Sequence, residues 1–410
     1  MLLLKLGYRN LWRNRRRTLL TMTAMGLATA LLILTLGIYD GMFWDMIEGS
    51  TELYHGHVKI TAKEYLEQHK LDMTIPEKGW YDTIAADPEV KGIAGRVRGF
   101  VLLSSGEGDS SHTQPAELFG IDLGEERTVS RLHECVIEGT YLIDPGNHDI
   151  VLGEGLAQLL EAEIGGEIVA MGQGADRSIA ADIFHVAGIV DTGDDIRDVS
   201  LAIVGRKTLQ EMLVVEGKLH ELSILLKNPV EAKEWAARMQ SEFPDMDVTP
   251  WNEFLAAVGQ TLEIWNTIKF IFAIFFYFAV ILVTMNTMYM ALLERMREFG
   301  IMSAIGLKLR RLSLLILIEG FFISAISGIA GGLVGFGASY ILSVHTIDLS
   351  AYMTQFSYGE AAFQPQIRSY LALDNILIPV IMIIALGVII AFLPALKLRK
   401  LRPVEVLREV

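Results

Sequence analysis

The stretch Ile268–Leu312, IKFIFAIFFYFAVILVTMNTMYMALLERMREFGIMSAIGLKLRRL, contains two kinds of chain in direct succession. Its first 25 residues, through Leu292, carry one charge, Lys269. A bilayer core of roughly 30 Å is spanned by about 20 apolar residues in a helix, so this half is long enough to cross. The second half is too charged for a membrane interior and too apolar for an ordinary hydrophilic loop. Met296, Phe299 and Met302 recur there at helical spacing, with Glu294, Arg297 and Glu298 between them, and a new apolar run begins at Leu312. Gly300 and Gly306 let the chain bend at the ends of a short helix.

The rest of the chain repeats this contrast. It has 410 residues, 51% of them hydrophobic. Apolar runs at Thr18–Tyr39, Ile268–Leu292, Leu312–Ser343 and Ile376–Leu396 are each long enough to span. More than 200 residues of ordinary globular composition separate the first two, enough for a folded core. Met1–Thr18 holds six Lys/Arg and no acid; Leu293–Leu312 and Lys397–Val410 each hold five basic and two acidic residues. Asp40–Thr267, in contrast, has 17 basic and 41 acidic residues. Lys/Arg-rich flanks stay in the cytoplasm. The fold class expected is therefore an α-helical membrane protein of four transmembrane helices, with a large mixed α/β periplasmic domain inserted between the first and second. Both termini are expected in the cytoplasm of a bacterial inner membrane protein. The expected layout is a basic N-terminus 1–17, spans 18–40, 268–292, 312–343 and 376–396, and a periplasmic domain with stalk helices 41–267. A cytoplasmic element 293–311, a periplasmic loop 344–375 and a cytoplasmic tail 397–410 complete it. The first apolar run exceeds a secretory h-region and no A-x-A-like site follows, so it reads as an uncleaved anchor. The chain's formal charge of −14 is negative because of the acidic domain, which argues against a nucleic acid partner there.

Within that domain His57–Thr61, Gly95–Ser105, Glu167–Met171, Phe184–Val190, Leu201–Gly205 and Glu221–Lys227 have the length and branched content of strands. GEGLAQLLEAEIG and NPVEAKEWAARMQSEF carry helical spacing. Asp40–Tyr54 and the residues from Asn252 onward continue helically into the neighbouring spans, as stalks. There is no Walker A sequence, H-E-x-x-H, G-x-S-x-G or Cys/His metal spacing, so no catalytic residue, metal or cofactor is expected on this chain. His55 and His57 read as solvent-facing strand positions rather than a metal pair, and Asp191–Asp198 as a solvated turn rather than a calcium loop. Cys135, the single cysteine, has no intramolecular disulfide partner.

In the third span, Gly328/Gly332 and Gly331/Gly335 form small-x-x-x-small pairs that allow close helix packing. Glu319 lies about two turns into that span, where an ionisable group is expensive. It reads either as a functional lever or as a group bonded to a neighbouring helix near the inner interface. The segment Arg295–Gly306 itself has three readings: a surface helix, a simple connector, or a helix that docks into another protein.

The sequence RMREFGIMSAIGLKLRRLSLLILIEG resembles the cytoplasmic signature of the MacB/FtsX-like superfamily of ABC transporter permeases, Arg–x–x–Glu/Asp–x–Gly/Ala–Ile–x–x–Ala–Ile–Gly. LGYRNLWRNRRRTLLT, IVLGEGLAQLLEAEIGGEIVAM, FHVAGIVDTG, VTPWNEF and LPALKLRKLRPVEVLREV resemble further segments of that family, in order. DGMFWDMIEGSTELYHGHVKIT is most similar to its lipoprotein-releasing branch. The resemblance implies a mechanotransmission permease whose coupling element, Arg295, Met296, Arg297, Glu298, Phe299, Gly300, Ile301, Met302, Ala304, Ile305 and Gly306, seats on a separate ATPase dimer. ATP and Mg would be bound by that partner. A second permease chain, as homodimer or related subunit, and a periplasmic carrier or adaptor are the other expected partners, with membrane lipid around the spans. Extraction of lipidated cargo would require an apolar cleft near the outer leaflet, for which Phe43, Met46, Ile264 and Ile268 are candidates. Export of small molecules or peptides, regulation of a periplasmic enzyme, and an ATP-independent receptor are the alternatives.

Overall fold

The structure, a computed structural model, describes residues 2–79, 81–106, 111–141, 148–305, 307–349, 356–358, 361–363 and 366–398. Gly306 and the tail from residue 399 lie outside the described residues. The chain divides into a helical unit, Met1–Phe43 with Ile264–Leu349 and Gln366–Val410, and an α/β unit, Trp44–Glu263 with Ser350–Pro365.

Among the described residues, six helices make the helical unit: α1 (Leu2–Leu11), α2 (Arg15–Ser50), α3 (Ala256–Glu294), α4 (Met296–Ala304), α5 (Leu309–Val344) and α6 (Leu373–Leu398). Four of them, α2, α3, α5 and α6, are long and apolar enough to cross a membrane. They enclose the four apolar runs and overrun them, so α2 and α3 are each more than 35 residues long. Leu11, Met25, Met288, Leu292, Phe299, Leu312 and Leu315 form a shared buried cluster. The glycines of α5 serve two neighbours. A side chain on Gly331 would meet the backbone of Gly26, and one on Gly335 would meet Ala30, both on α2. Gly328 and Gly332 instead face Ile383 and Val380 of α6. Without a hydrophobic driving force in lipid, such backbone approach supplies the packing contacts. Asp40 of α2 pairs with Lys269 of α3 and accepts a bond from Asn375 of α6, so this intrachain charge is compensated.

The α/β unit is built on a ten-stranded mixed sheet. Its strands are β1 (Val58–Ala62), β2 (Val90–Ser105), β3 (His112–Ile121), β4 (Val136–Gly139), β5 (Asp149–Gly153), β6 (Glu167–Gln173), β7 (Ile179–Val190), β8 (Leu201–Gly205), β9 (Glu221–Leu226) and β10 (Met246–Pro250). The order is β10-β1-β9-β2-β3-β8-β5-β7-β4, with β6 pairing β2 and β7. Among the described strands of this sheet, only β3–β8 and β5–β7 run parallel. Chain enters the sheet through a π-helical turn, Thr51–His55, that ends at Gly56 with φ 77°. Only glycine fits there, because a Cβ would lie 2.5 Å from Ser223 Oγ. Tyr54, Phe119, Val151, Val190 and Ile203 form one core cluster, and the helix Ala232–Glu242 contributes Trp235, whose Nε1 donates to Asp87 at 3.0 Å.

Two sequence expectations fail in this unit. His55 and His57 are buried, 5% and 1% exposed, rather than solvent-facing. His55 closes the π-helical turn and His57 lies between that turn and β1, so strand alternation does not set their exposure and both are enclosed. His57 Nδ1 accepts from the Leu226 amide at 3.1 Å, and burial pushes its pKa down to about 4. The acidic turn is also not simply solvated. Asp198 is buried and accepts from the Thr192 amide and hydroxyl at 2.9 and 2.8 Å.

Candidate functional site

The coupling segment folds as a short helix between two long ones. The Arg295 amide bonds back to the Leu292 carbonyl at 3.1 Å, α4 follows, and Ile305 closes the last turn on Ile301 at 3.0 Å. Burial then divides its residues sharply. Phe299 is 2% exposed and packs in the cluster with Leu11, Leu312 and Leu315; Gly300 is buried beside it. Met296 and Met302 lie against the same cluster, half-buried. Phe299 and Gly300 are therefore internal packing positions within this chain. The outward positions are Arg297, Ile301 and Ile305. Their spacing of four residues places them on one helical face, with Ile301 44% and Ile305 82% exposed. Nothing further is described for the Ala304 side chain or for Gly306.

Behind the helix sits a polar anchor. Arg295 Nη1 donates to both oxygens of Glu319, at 2.9 and 3.0 Å. Asn10 Nδ2 of α1 donates to the same carboxylate at 2.7 Å. The two charged side chains are only 14% and 11% exposed. The Arg295 guanidinium also lies 5.3 Å from the Phe299 ring centroid, near enough for a cation–π contact. Glu319 therefore bonds to neighbouring helices, tying α5 to the α3–α4 junction and to α1. Two further ion pairs, Arg13–Glu298 and Arg17–Glu294, lie beside it. Asn10, Arg13, Arg17 and Glu294 were not singled out from sequence, where they read only as a basic flank and a loop acid. The available signal was the four-residue spacing shared by Arg13/Arg17 and Glu294/Glu298.

The four cargo-cleft candidates do not form an open lining. Met46 is 1% exposed and so is a core residue; Phe43 and Ile268 are half-buried, and Ile264 is 59% exposed. The α/β unit carries a different feature, absent from the sequence reading. Arg96 donates to both oxygens of Glu126, at 3.0 and 2.7 Å, and to Glu221 at 3.2 Å. Arg98 pairs with Glu117 at 2.9 Å and Glu221 at 3.5 Å, while Lys59 reaches Glu221 at 3.2 Å. Burial alone would raise the Glu221 pKa, but Arg98, Lys59 and Arg96 overcome it and hold the group well below the usual carboxylate range. Burial pushes Lys59 down to about 8 despite Glu221. A polar cleft of 590 Å³ opens beside this cluster, with Lys59, Arg98, Arg197, Asp247 and Glu253 in its wall. Each buried cation here already has a carboxylate, so the cluster locks strands together rather than presenting a reactive group.

Comparison with known proteins gives concordant matches. Residues 18–242 match the family model of the MacB-like periplasmic core domain, and residues 270–403 match that of the FtsX-like permease C-terminal region. The chain is 21% identical to the lipoprotein-releasing system transmembrane protein LolC of Xylella fastidiosa, over 98% of each chain. It is 22% identical to LolC of Neisseria meningitidis serogroup B, over 95% of this chain and 94% of that one. The ABC transporter permease YvrN of Bacillus subtilis is 35% identical over 30% of this chain and 26% of its own. Among solved structures, the periplasmic region of MacB from Actinobacillus actinomycetemcomitans aligns with a TM-score of 0.36 at 15% identity, covering 54% of this chain and 97% of that one.

Proposed function

Because the chain belongs to the family of FtsX-like ABC transporter permeases with a MacB-like periplasmic core domain, we propose that it is the membrane subunit through which a separate ATPase drives release of lipidated cargo from the inner membrane. Homologues of this kind are permease subunits, and the chain is not itself an enzyme. In this reading residues 1–17, 293–311 and 397–410 are cytoplasmic, four helices span, and the α/β unit is periplasmic, inserted between the first and second spans. The positive-inside balance of the three basic segments supports that orientation. The ATPase dimer, carrying ATP and Mg, seats against Arg297, Ile301 and Ile305. A second permease chain completes the membrane part.

The observation that carries the coupling role is the two-sidedness of α4. Its inner face is fixed by Phe299 and, at its start, by the Arg295–Glu319 pair, while Arg297, Ile301 and Ile305 are exposed on the other face. A push on that face cannot be absorbed by side-chain slack, because the helix is packed and ion-paired behind. It passes into α3, which is unbroken from Ala256 to Glu294. The lipoprotein cargo rests on alignment with LolC over nearly the whole of both chains. Lifting an acyl chain out of the bilayer costs about 0.8 kcal/mol per CH₂, which is why such extraction needs coupled ATP hydrolysis.

The test is purification of the full chain from its native membrane, with its ATPase, into lipoprotein-bearing proteoliposomes. ATP-dependent appearance of lipoprotein on a soluble periplasmic carrier is the expected result. Co-purification instead with a periplasmic adaptor and outer-membrane duct, with no lipoprotein release, would favour export of small molecules or peptides.

A further inference from the structure

We infer that the N-terminal arm, α1 with the turn to Arg17, is a clasp that fastens the coupling element to α2, so that displacement of α4 is delivered to α2 together with α3. This rests on the coupling role proposed for α4 and adds to it a second route and its positioning residues, Asn10, Arg13 and Arg17.

Three links carry it. Asn10 Nδ2 donates to Glu319 at 2.7 Å, the carboxylate that also holds Arg295. Arg13 donates through both terminal nitrogens to the two oxygens of Glu298 on α4, the forked geometry that fixes orientation as well as distance. Arg17 donates to Glu294 at the end of α3. Arg13 and Arg17 are four residues apart, as are Glu294 and Glu298, and the pairing is crossed: the earlier Arg meets the later Glu. Two segments running in opposite directions would match in this way, rung against rung.

The arm is held at its other side too. A side chain on Gly7 would collide with Ile318 of α5, the Tyr8 ring meets Phe322 edge-on at 5.9 Å, and Leu11 is 3% exposed in the cluster that contains Phe299. The turn between α1 and α2 has neither proline nor glycine. Its backbone is closed by Trp12 to Arg9, Arg13 to Asn10 and Thr18 to Asn14, so the arm and α2 move as one piece. A cleft of 260 Å³ lies between the linked segments, walled by Asn10, Arg17, Thr21, Arg295 and Glu319.

The two Arg–Glu pairs are solvent-accessible, with Arg13 60% and Glu294 52% exposed. Pairs of that kind contribute little to stability. Their role is to keep register, and reversing them leaves the fold intact. That makes the clasp testable in the assembled complex. The full chain is reconstituted with the ATPase that co-purifies with it, and spin labels are placed at Leu20 on α2 and Leu293 on α3, 70% and 46% exposed. With native Arg13 and Arg17, the distance between labels stays the same when ATP and then vanadate are added. In Arg13→Glu/Arg17→Glu, the distance shifts on ATP addition by more than the width of the original distribution. Adding Glu294→Arg/Glu298→Arg to that variant restores the fixed distance. A role confined to folding would alter the distance already without ATP. If the double reversal recruits the ATPase and keeps a fixed distance through the ATP cycle, the clasp is refuted while the coupling role stands. If the native chain recruits no ATPase, the coupling role falls and the clasp with it.

Discussion

Replacing Glu319 by alanine should release the coupling element from the helix behind it. The carboxylate accepts three hydrogen bonds, two from Arg295 and one from Asn10, in a site where both ionic side chains are nearly enclosed. Removing one partner of a buried pair costs about 3–5 kcal/mol, mainly because the other charge stays behind. Here the lower end applies, about 3 kcal/mol, since Arg295 retains Glu298 at 3.8 Å and the face of Phe299. Glu319→Gln keeps an acceptor in place and loses the charge assistance, about 1–2 kcal/mol. Hydrogen exchange read by mass spectrometry on the intact chain in detergent resolves this unit from the α/β unit. Every 1.4 kcal/mol is a factor of ten, so amides of α1 and the first turns of α5 should exchange roughly a hundredfold faster in Glu319→Ala. Arg295→Met combined with Glu319→Leu, which replaces the pair by apolar volume, should recover most of that protection. Exchange in Glu319→Ala within threefold of the native chain would refute the reasoning, as would a double variant worse than both single changes.

Glu221→Gln should destabilise the α/β unit by about 3 kcal/mol at pH 7, because Lys59, Arg96 and Arg98 would lose their common anion. The folded-state pKa of Glu221 is depressed, so its stabilisation is fully present above the ordinary carboxylate value and fades as pH falls through the folded value. The difference between Glu221→Gln and the native chain, followed by denaturant titration, should therefore shrink below about pH 4; a pH-independent difference would be inconsistent with the assignment. Gly331→Leu should separate α2 from α5 and lower the thermal stability of the helical unit by a few kcal/mol, since its Cβ would strike the Gly26 backbone. Gly337→Leu, where nothing lies within 4 Å, should leave that transition unchanged, and equal effects of the two would refute the packing role.

Much of the architecture could be read without coordinates because it depends on local chemistry. Apolar length marked the four long helices, and branched runs such as Phe184–Val190 marked strands. The strands that escaped notice lack those signals. His112–Ile121 contains Pro115 and mixed polarity, and Asp149–Gly153 has a three-residue apolar centre directly before a helix. Their strand character comes from partners on either side. The same holds for side-chain roles. Glu319 could be recognised as anomalous at its depth, but its partner Asn10 is 309 residues away. Phe299 looked like a docking residue because helical spacing defines a stripe without saying which protein covers it; Leu11 and Leu312 cover it within the chain. The buried Arg96–Glu221 pair joins residues 125 positions apart, and each alone reads as an ordinary surface charge. His55 and His57 misled for the mirror-image reason: they read as water-facing strand positions, but they lie in and after a π-helical turn, outside β1, and are buried.

The most direct measurement is recruitment of the ATPase by chains altered on the outward face of α4. Ile301→Asp with Ile305→Asp places two charges on exposed positions, so the fold should persist while apolar docking is abolished. Ile179→Asp, 83% exposed in the α/β unit, serves as the control. The account predicts that the paired change lowers the ATPase co-purified per chain at least tenfold, with the control unchanged and both proteins retaining native hydrogen exchange. Undiminished ATPase on a folded Ile301→Asp/Ile305→Asp chain would contradict it.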